Sequence, residues 1–244
     1  MNSLKISSYL IALLLMGFMQ ACDEDDNFLL PGDNDGSDRL SDREIISGLK
    51  AALNVGTDSA VARLNVQDSY FRDEAIKILL PPEVREIQGQ VEGIPGVSNI
   101  LDNLTRSMNR AAEEAANEAR PIFKDAIMNL SIQDGLEILN GPDTAATFYL
   151  KNNTEDGLRD AYQPRIKNSL DQVNATEYWR QFSTAYNQAR PLLGLDPIET
   201  DLEVYVTGRA LDGLFYKVAE QERNIRQDPI ARVTDILERV FGRR

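Results

Sequence analysis

After residue 40, apolar side chains recur at intervals of three and four along almost the whole chain, the period of amphipathic helices rather than of strands. Ile45, Leu49 and Leu53 follow Ser41, which forms a capping-box pattern with Glu44. Gly56 is expected to interrupt this helix, with Thr57 or Asp58 capping a second one that carries Val61 and Leu64. From Ile76 to Leu80 the chain is apolar without helical period and ends at Pro81-Pro82. That reads as an extended connector, with Pro82 opening a short helix to about Val91. The longest stripe follows: Val97, Leu101, Leu104, Met108, Ala111, Ala112, Ala115, Ala119, Ile122, Phe123, Ala126, Ile127 and Leu130. Its middle is alanine only, so a neighbouring helix can approach closely. Pro121 should kink or split it near Arg120.

Further along, Ser131 caps a helix bearing Leu136, Ile138 and Leu139, which Asn140-Gly141 stops. Asp143 is expected to cap the next, with Ala146, Phe148 and Leu150, and Thr154 to start another that breaks at Pro164. Asn174 and Glu177 form a capping-box pattern before the aromatic group Tyr178, Trp179, Phe182 and Tyr186, whose spacing suits a core or a partner groove. Pro191 to Pro197 reads as a loop. Leu202, Val206, Leu211, Leu214, Phe215, Val218 and Ile225 line a further helix. Asp228 and Pro229 open the last, with Val233, Ile236, Leu237, Val240 and Phe241 facing inward. There is no fixed repeat and no alternating strand pattern of useful length. The expectation is an all-α fold: a single multi-helix bundle of roughly eight to ten helices over residues 41–244.

The first forty residues differ in kind. Lys5 precedes an apolar run from Tyr9 to Met19, then Gln20-Ala21-Cys22 and the acidic Asp23-Glu24-Asp25-Asp26. The run is too short for a spanning helix of about 20 residues. A basic start, a short apolar core and a small residue before a cleavage point read as a secretory signal over residues 1–21. Cys22 is the only cysteine, so it has no internal disulfide partner. The segment resembles a bacterial lipoprotein signal, with Met19 where leucine is usual, and implies acylation of Cys22 and a membrane anchor. The four acids after Cys22 resemble the surface-export tag of Bacteroidetes lipoproteins; in enterobacteria, an aspartate directly after the cysteine instead goes with retention at the inner membrane. Four acids rather than one favour the first, an outer-membrane and surface-exposed location. Residues 22–40 hold seven acids against Arg39, with Pro31, Gly32 and Gly36, and read as a disordered acidic tether. Asp33 to Asp38 lacks the full spacing of a calcium loop and belongs to that tether.

The chain has 39 acids and 26 bases, a net charge of −13, and residues 41–244 hold 32 acids against 24 bases. That balance argues against nucleic acid and against electrostatic docking on anionic lipid. There is no histidine. A Ser-His-Asp triad, a His- or Cys-type zinc site and a Glu-x-x-His di-iron bundle are therefore excluded. No cofactor is expected.

Several phrases resemble a family of bacterial exported domains known as domain of unknown function 4197. They are Gly48-Leu49-Lys50 with Ala52-Leu53 and Gly56; Leu80-Pro81; Asn109 to Glu113 with Ala115; and Pro121-Ile122-Phe123 with Asp125-Ala126-Ile127. Further on come Ile138 to Asp143 with Ala145-Ala146-Thr147, Leu211 to Phe215, Ala219 to Glu222, Ile225-Arg226, Thr234 to Leu237 and Val240-Phe241-Gly242. The likeness runs from about residue 40 to the end, most loosely between Thr154 and Asp201. It implies a helical exported domain and carries no catalytic role.

Two polar groups are candidates for chemistry. Asn109, Arg110 and Glu113 interrupt the long apolar stripe at helical spacing. They can line a cleft that holds an anion through Arg110, or they can fix a crossing with another helix. Asp212, Glu220, Glu222 and Arg226 form the second group. Such oxygens suit a hard cation or an acid–base pair; an ion pair on a solvated face is the plainer reading, and no metal ligand is assigned. Asp58-Ser59-Ala60 and Asp143-Thr144-Ala145 resemble the O-glycosylation motif of Bacteroidetes periplasmic proteins and also suit helix N-caps. Together these features favour a lipid-anchored interaction or binding module at the outer membrane, partnered by the membrane and by an envelope protein. The alternative is a carboxylate- and arginine-based or metal-dependent hydrolase of an envelope polymer.

Overall fold

Ser41 starts the first helix with the chemistry its sequence promises. Its backbone N–H donates to Glu44 Oε2 at 2.8 Å while the Glu44 N–H donates back to the serine hydroxyl at 3.4 Å. The structure, a computed structural model, describes residues 41–91, 97–194 and 196–227. Cys22, the acidic segment and the expected helix from Asp228 to Phe241 lie outside the described residues. The elements are α1 (Asp42–Leu64), α2 (Pro82–Val91), α3 (Val97–Ala115), a 3-10 turn (Ala116–Glu118), α4 (Ala119–Met128), α5 (Ile132–Asn140), α6 (Ala145–Gln172), α7 (Ala175–Leu193) and α8 (Leu202–Gln227). The class is all-α, with no strand among the described residues.

Three expected breaks are absent. Gly56 lies inside the continuous α1, where a methyl group would sit 3.3 Å from Ile225 Cδ1 of α8. It is a close-approach glycine rather than a stop. Asp58 therefore caps nothing; its carboxylate accepts from Arg120 at 2.9 Å. Likewise α6 runs unbroken through Thr154, whose hydroxyl donates back to the Leu150 carbonyl, and through Pro164. Proline there removes one helical hydrogen bond, but Leu158, Tyr162, Ile166 and Leu170 are wholly buried on either side of it. Tertiary packing outweighs the local penalty. With α3, the 3-10 turn and α4 taken as one interrupted rod, the described residues form seven helical rods, fewer than the eight to ten expected.

The interruption in that rod falls one turn before Pro121, at Ala116–Glu118, because the proline ring collides with the carbonyl four residues earlier. The alanine seam does what its size allows. Ala111, Ala112, Ala115, Ala116 and Ala119 are fully buried where α3 packs on α6, and the Tyr162 hydroxyl reaches across to donate to the Ala116 carbonyl at 3.2 Å. The most extensive contact is between α6 and α8, and α1 packs on α8 and α4.

The helix caps depart from expectation in two places. Asn174 is left-handed, φ 56°, and makes no side-chain cap; Glu177 instead accepts from Arg180 and Gln181. α7 continues through Pro191 and ends at Gly194, φ 69°, so the loop starts later than the prolines suggest. The N-terminus of α6 is not capped by Asp143, whose carboxylate accepts from Gln227. Its cap comes from α8, as described below.

Candidate functional site

Between α1 and α2 the chain runs for 17 residues, from Asn65 to Pro81, with no helix or strand. So long an irregular connector is unusual in a compact domain and commonly serves a function. The first candidate group, Asn109, Arg110 and Glu113 on α3, lies directly beneath it.

Asn109 is fully buried. Its Oδ1 accepts from the Ile78 N–H at 2.9 Å, and its Nδ2 donates to the Ile78 carbonyl at 2.7 Å and to the Thr105 carbonyl at 2.7 Å. One amide side chain thus satisfies both backbone groups of an extended residue, as a neighbouring strand would. Glu113, 4 % exposed, accepts from the Asp68 N–H at 3.0 Å and the Tyr70 N–H at 3.2 Å. The Phe71 N–H points at the same carboxylate, and burial holds Glu113 above the usual glutamate range despite these donors. Arg110 closes the group, donating to Glu113 at 2.9 Å and to Asp68 at 3.1 Å. Asp68 has φ 66°, a strained conformation for a non-glycine residue, held by contacts on both its backbone and its side chain. The structure brings the three residues together as a latch on a loop, not on a second helix.

α8 holds the loop from the other side. Tyr70 is fully buried, its hydroxyl donating to the Ala210 carbonyl at 2.9 Å over Gly213. Tyr205 donates to the Leu79 carbonyl at 2.8 Å. Lys217 pairs with Asp73 at 2.7 Å, and that bond holds the Asp73 carboxyl below its usual range.

The second candidate group does not converge. Asp212 pairs with Arg209 on an exposed face, and Glu220 pairs with Lys217. Glu222 and Arg226 are buried elsewhere, 2.9 Å apart. Glu222 accepts from the backbone of Ala146 and Thr147 at 3.0 and 2.8 Å and from the Thr147 hydroxyl at 2.8 Å. A carboxylate on α8 thereby caps α6, where free N–H groups and the helix dipole favour negative charge. Arg226 also donates to the Ile138 carbonyl at 2.8 Å, which fastens the end of α5. No cluster of three or more metal-ligating side chains occurs among the described residues.

The aromatic group divides. Trp179 and Tyr186 are buried, whereas Tyr178 is 63 % and Phe182 38 % exposed. Two shallow clefts open on the described surface. One, about 420 Å³, lies between α4 and α6 and is lined by Asp125, Asn129, Tyr149 and Asn153. The other, about 360 Å³, is formed by the outer side of the latched loop together with α3. Its residues Phe71, Lys77 and Arg106 escaped the sequence reading. The available signal was the length of the aperiodic stretch before Pro81-Pro82, together with Arg106 standing one turn before Asn109.

No helix among the described residues is long and apolar enough to cross a membrane. The model of a family described as a protein of unknown function, DUF4197, matches residues 39–242. No curated protein and no solved structure matches the chain.

Proposed function

The chain belongs to the DUF4197 family, and from that premise we propose that it is a binding module of the cell envelope, lipid-anchored through Cys22. A single helical bundle of residues 41–244 then stands on the acidic tether of residues 22–40, at the outer membrane. The observation that carries this reading is the connector Asn65–Pro81. Five buried or half-buried polar side chains, Asn109, Arg110 and Glu113 from α3 and Tyr205 and Lys217 from α8, hold it in one conformation, including a left-handed Asp68. Buried polar networks specify a unique arrangement only when every member is satisfied, as here. A loop held this firmly presents a preformed surface, which lowers the ordering cost of binding. The polar groups that could have served catalysis are occupied: Glu113 and Glu222 each accept from backbone N–H groups and from an arginine.

The test is crosslinking of the protein at native level in intact cells, with partners identified by mass spectrometry and a Cys22→Ala control. A dominant envelope partner that disappears in the control is the expected result. Recovery of no reproducible partner from the lipidated protein counts against the module.

A further inference from the structure

The face of the latched loop turned away from Asn109 and Glu113 carries an unusual charge arrangement. Lys77 Nζ lies 4.4 Å and the Arg106 guanidinium carbon 4.5 Å from the centroid of the same ring, Phe71. Lys77 comes from the loop and Arg106 from α3, so the fold itself brings them together. Arg85, from α2, borders the same cleft and spends its Nε on the Leu80 carbonyl at 3.1 Å. Three cations thus line one concavity in a chain whose net charge is −13. In such an excess of acids, most interior-facing bases find a carboxylate: Arg110, Arg120, Lys217 and Arg226 all do. Lys77, Arg85 and Arg106 form no ion pair among the described residues. Asp102 lines the cleft as well, one turn before Arg106 on α3, and it too makes no ion pair there. Like charges gathered on one ring repel unless something compensates them.

The floor of the cleft is apolar, from Phe71, Leu80 and the 41 % exposed Leu79. The Arg106 guanidinium makes no hydrogen bond or ion pair among the described residues, which leaves its N–H fork for a bidentate anion. At about 360 Å³ the space is at the small end of ligand sites, which run from about 300 to 1,000 Å³. We infer that this cleft binds a small amphipathic anion, a carboxylate or phosphate head held by Lys77 and Arg106 with a compact apolar body laid on Leu79, Leu80 and Leu101. The inference rests on the binding-module reading and names the ligand class of its latched loop. The Asn109 and Glu113 contacts are what fix Phe71 and Lys77 opposite Arg106.

The experiment is calorimetric titration of the full chain carrying Cys22→Ala with hexyl phosphate and hexanoate, against inorganic phosphate and hexanol as head and body alone. Saturable binding of one or both hexyl anions at a single site is expected, with the two half-ligands at least about tenfold weaker. Which of the two anions binds tighter separates a phosphate from a carboxylate source. Higher salt should weaken the binding. Lys77→Gln with Arg106→Gln should lower affinity at least about tenfold with an unchanged melting temperature. Asp102→Asn, which removes the one opposing charge on an exposed position, should raise affinity severalfold. If the double variant fails to fold, the Asp102→Asn gain still decides the matter. Absence of saturable binding by either hexyl anion overturns the inference, as does binding insensitive to all these changes. The double variant is also taken through the cellular crosslinking. A retained partner with no titration leaves the module standing without this cleft, and titration without any partner does the reverse.

Discussion

Replacing Asn109 by alanine tests the latch most directly, because the structure states what is left behind. The side chain is wholly buried and serves both the N–H and the carbonyl of Ile78, itself fully buried. Thr105 loses a second donor to its carbonyl but keeps its helical one. Two buried backbone groups therefore become orphans, and each costs about 1–3 kcal/mol. A loss of about 2–5 kcal/mol is expected, large against the 5–15 kcal/mol that holds a typical domain. Asn109→Asp should be worse near neutral pH: it keeps an acceptor for the Ile78 N–H but sets an anionic oxygen against the carbonyls of Ile78 and Thr105. Urea unfolding of both variants reads the magnitude through the midpoint at constant slope. Hydrogen exchange at the Ile78 amide reads the place, with protection lost in Asn109→Ala. A midpoint shift worth less than about 1 kcal/mol, with the Ile78 amide still protected, would refute the reasoning.

Glu222→Ala should cost about 3–5 kcal/mol, since it strands Arg226 in a buried position and uncaps α6; Glu222→Leu with Arg226→Met should cost less than either single change, and double-mutant cycles of urea midpoints check that coupling. Gly213→Ala should destabilise by about 1–3 kcal/mol, because its methyl would lie 2.6 Å from the buried Tyr70 ring. Gly56→Ala should be near neutral in the same melts, since its methyl meets only the movable end of Ile225 at 3.3 Å and alanine favours the helix. Desolvation raises the native pKa of Glu113 above its ordinary 4.5, so the folded state binds more protons between those two values. Its contribution is therefore greatest below 4.5 and falls as pH rises through the raised native value. Glu113→Gln should lose that descending slope in thermal melts from about pH 4 to about pH 8. It should also lose about 1–3 kcal/mol at neutral pH, because its amide nitrogen would face either the Tyr70 donor or those of Asp68 and Arg110, which sit on the two different carboxylate oxygens. Wild-type slope and melting temperature in this variant would remove the latch role from Glu113.

What could be read from sequence was set by how local the causes are. The box at Ser41 and the cap at Ser131 are closed by residues three positions away and form as read, the second also as a box with Asp134. The connector into Pro82 and the span of α8 follow from proline chemistry and a long uninterrupted stripe. Most failures have distant causes; the Asn174 box is the local exception, because Arg180 and Gln181 take Glu177 instead. Gly56 and Pro164 look like breakers alone, but α1 meets α8 at the first and buried residues brace α6 around the second. The α6 cap is a glutamate 75 residues further along the chain, so the nearby Asp143 was the only visible choice. The same holds for the candidate site. Spacing correctly grouped Asn109, Arg110 and Glu113 on one face of α3. It could not show that Asn109 and Glu113 are met by the backbone of residues 68–78, since a main-chain N–H leaves no mark in a sequence.

That asymmetry bears on where the function sits. Residues conspicuous for their polarity within apolar stripes turned out to be satisfied internally: Asn109, Glu113 and Glu222 by backbone groups that would otherwise be buried without partners, and Arg110 by carboxylates. Polar side chains placed this way raise the energy of alternative loop conformations more than they offer anything to solvent. Lys77, Arg85 and Arg106, which form no ion pair among the described residues, look ordinary in the sequence because surface bases are common. They are unusual only in three dimensions: they share one concavity, two of them share one ring, and the chain around them is strongly acidic. A domain that commits the buried Asn109 amide and Glu113 carboxylate to holding one loop still has committed them to whatever that loop displays. For this fold, the chemistry to be explained is therefore that of the loop's outer face rather than of the carboxylates beneath it.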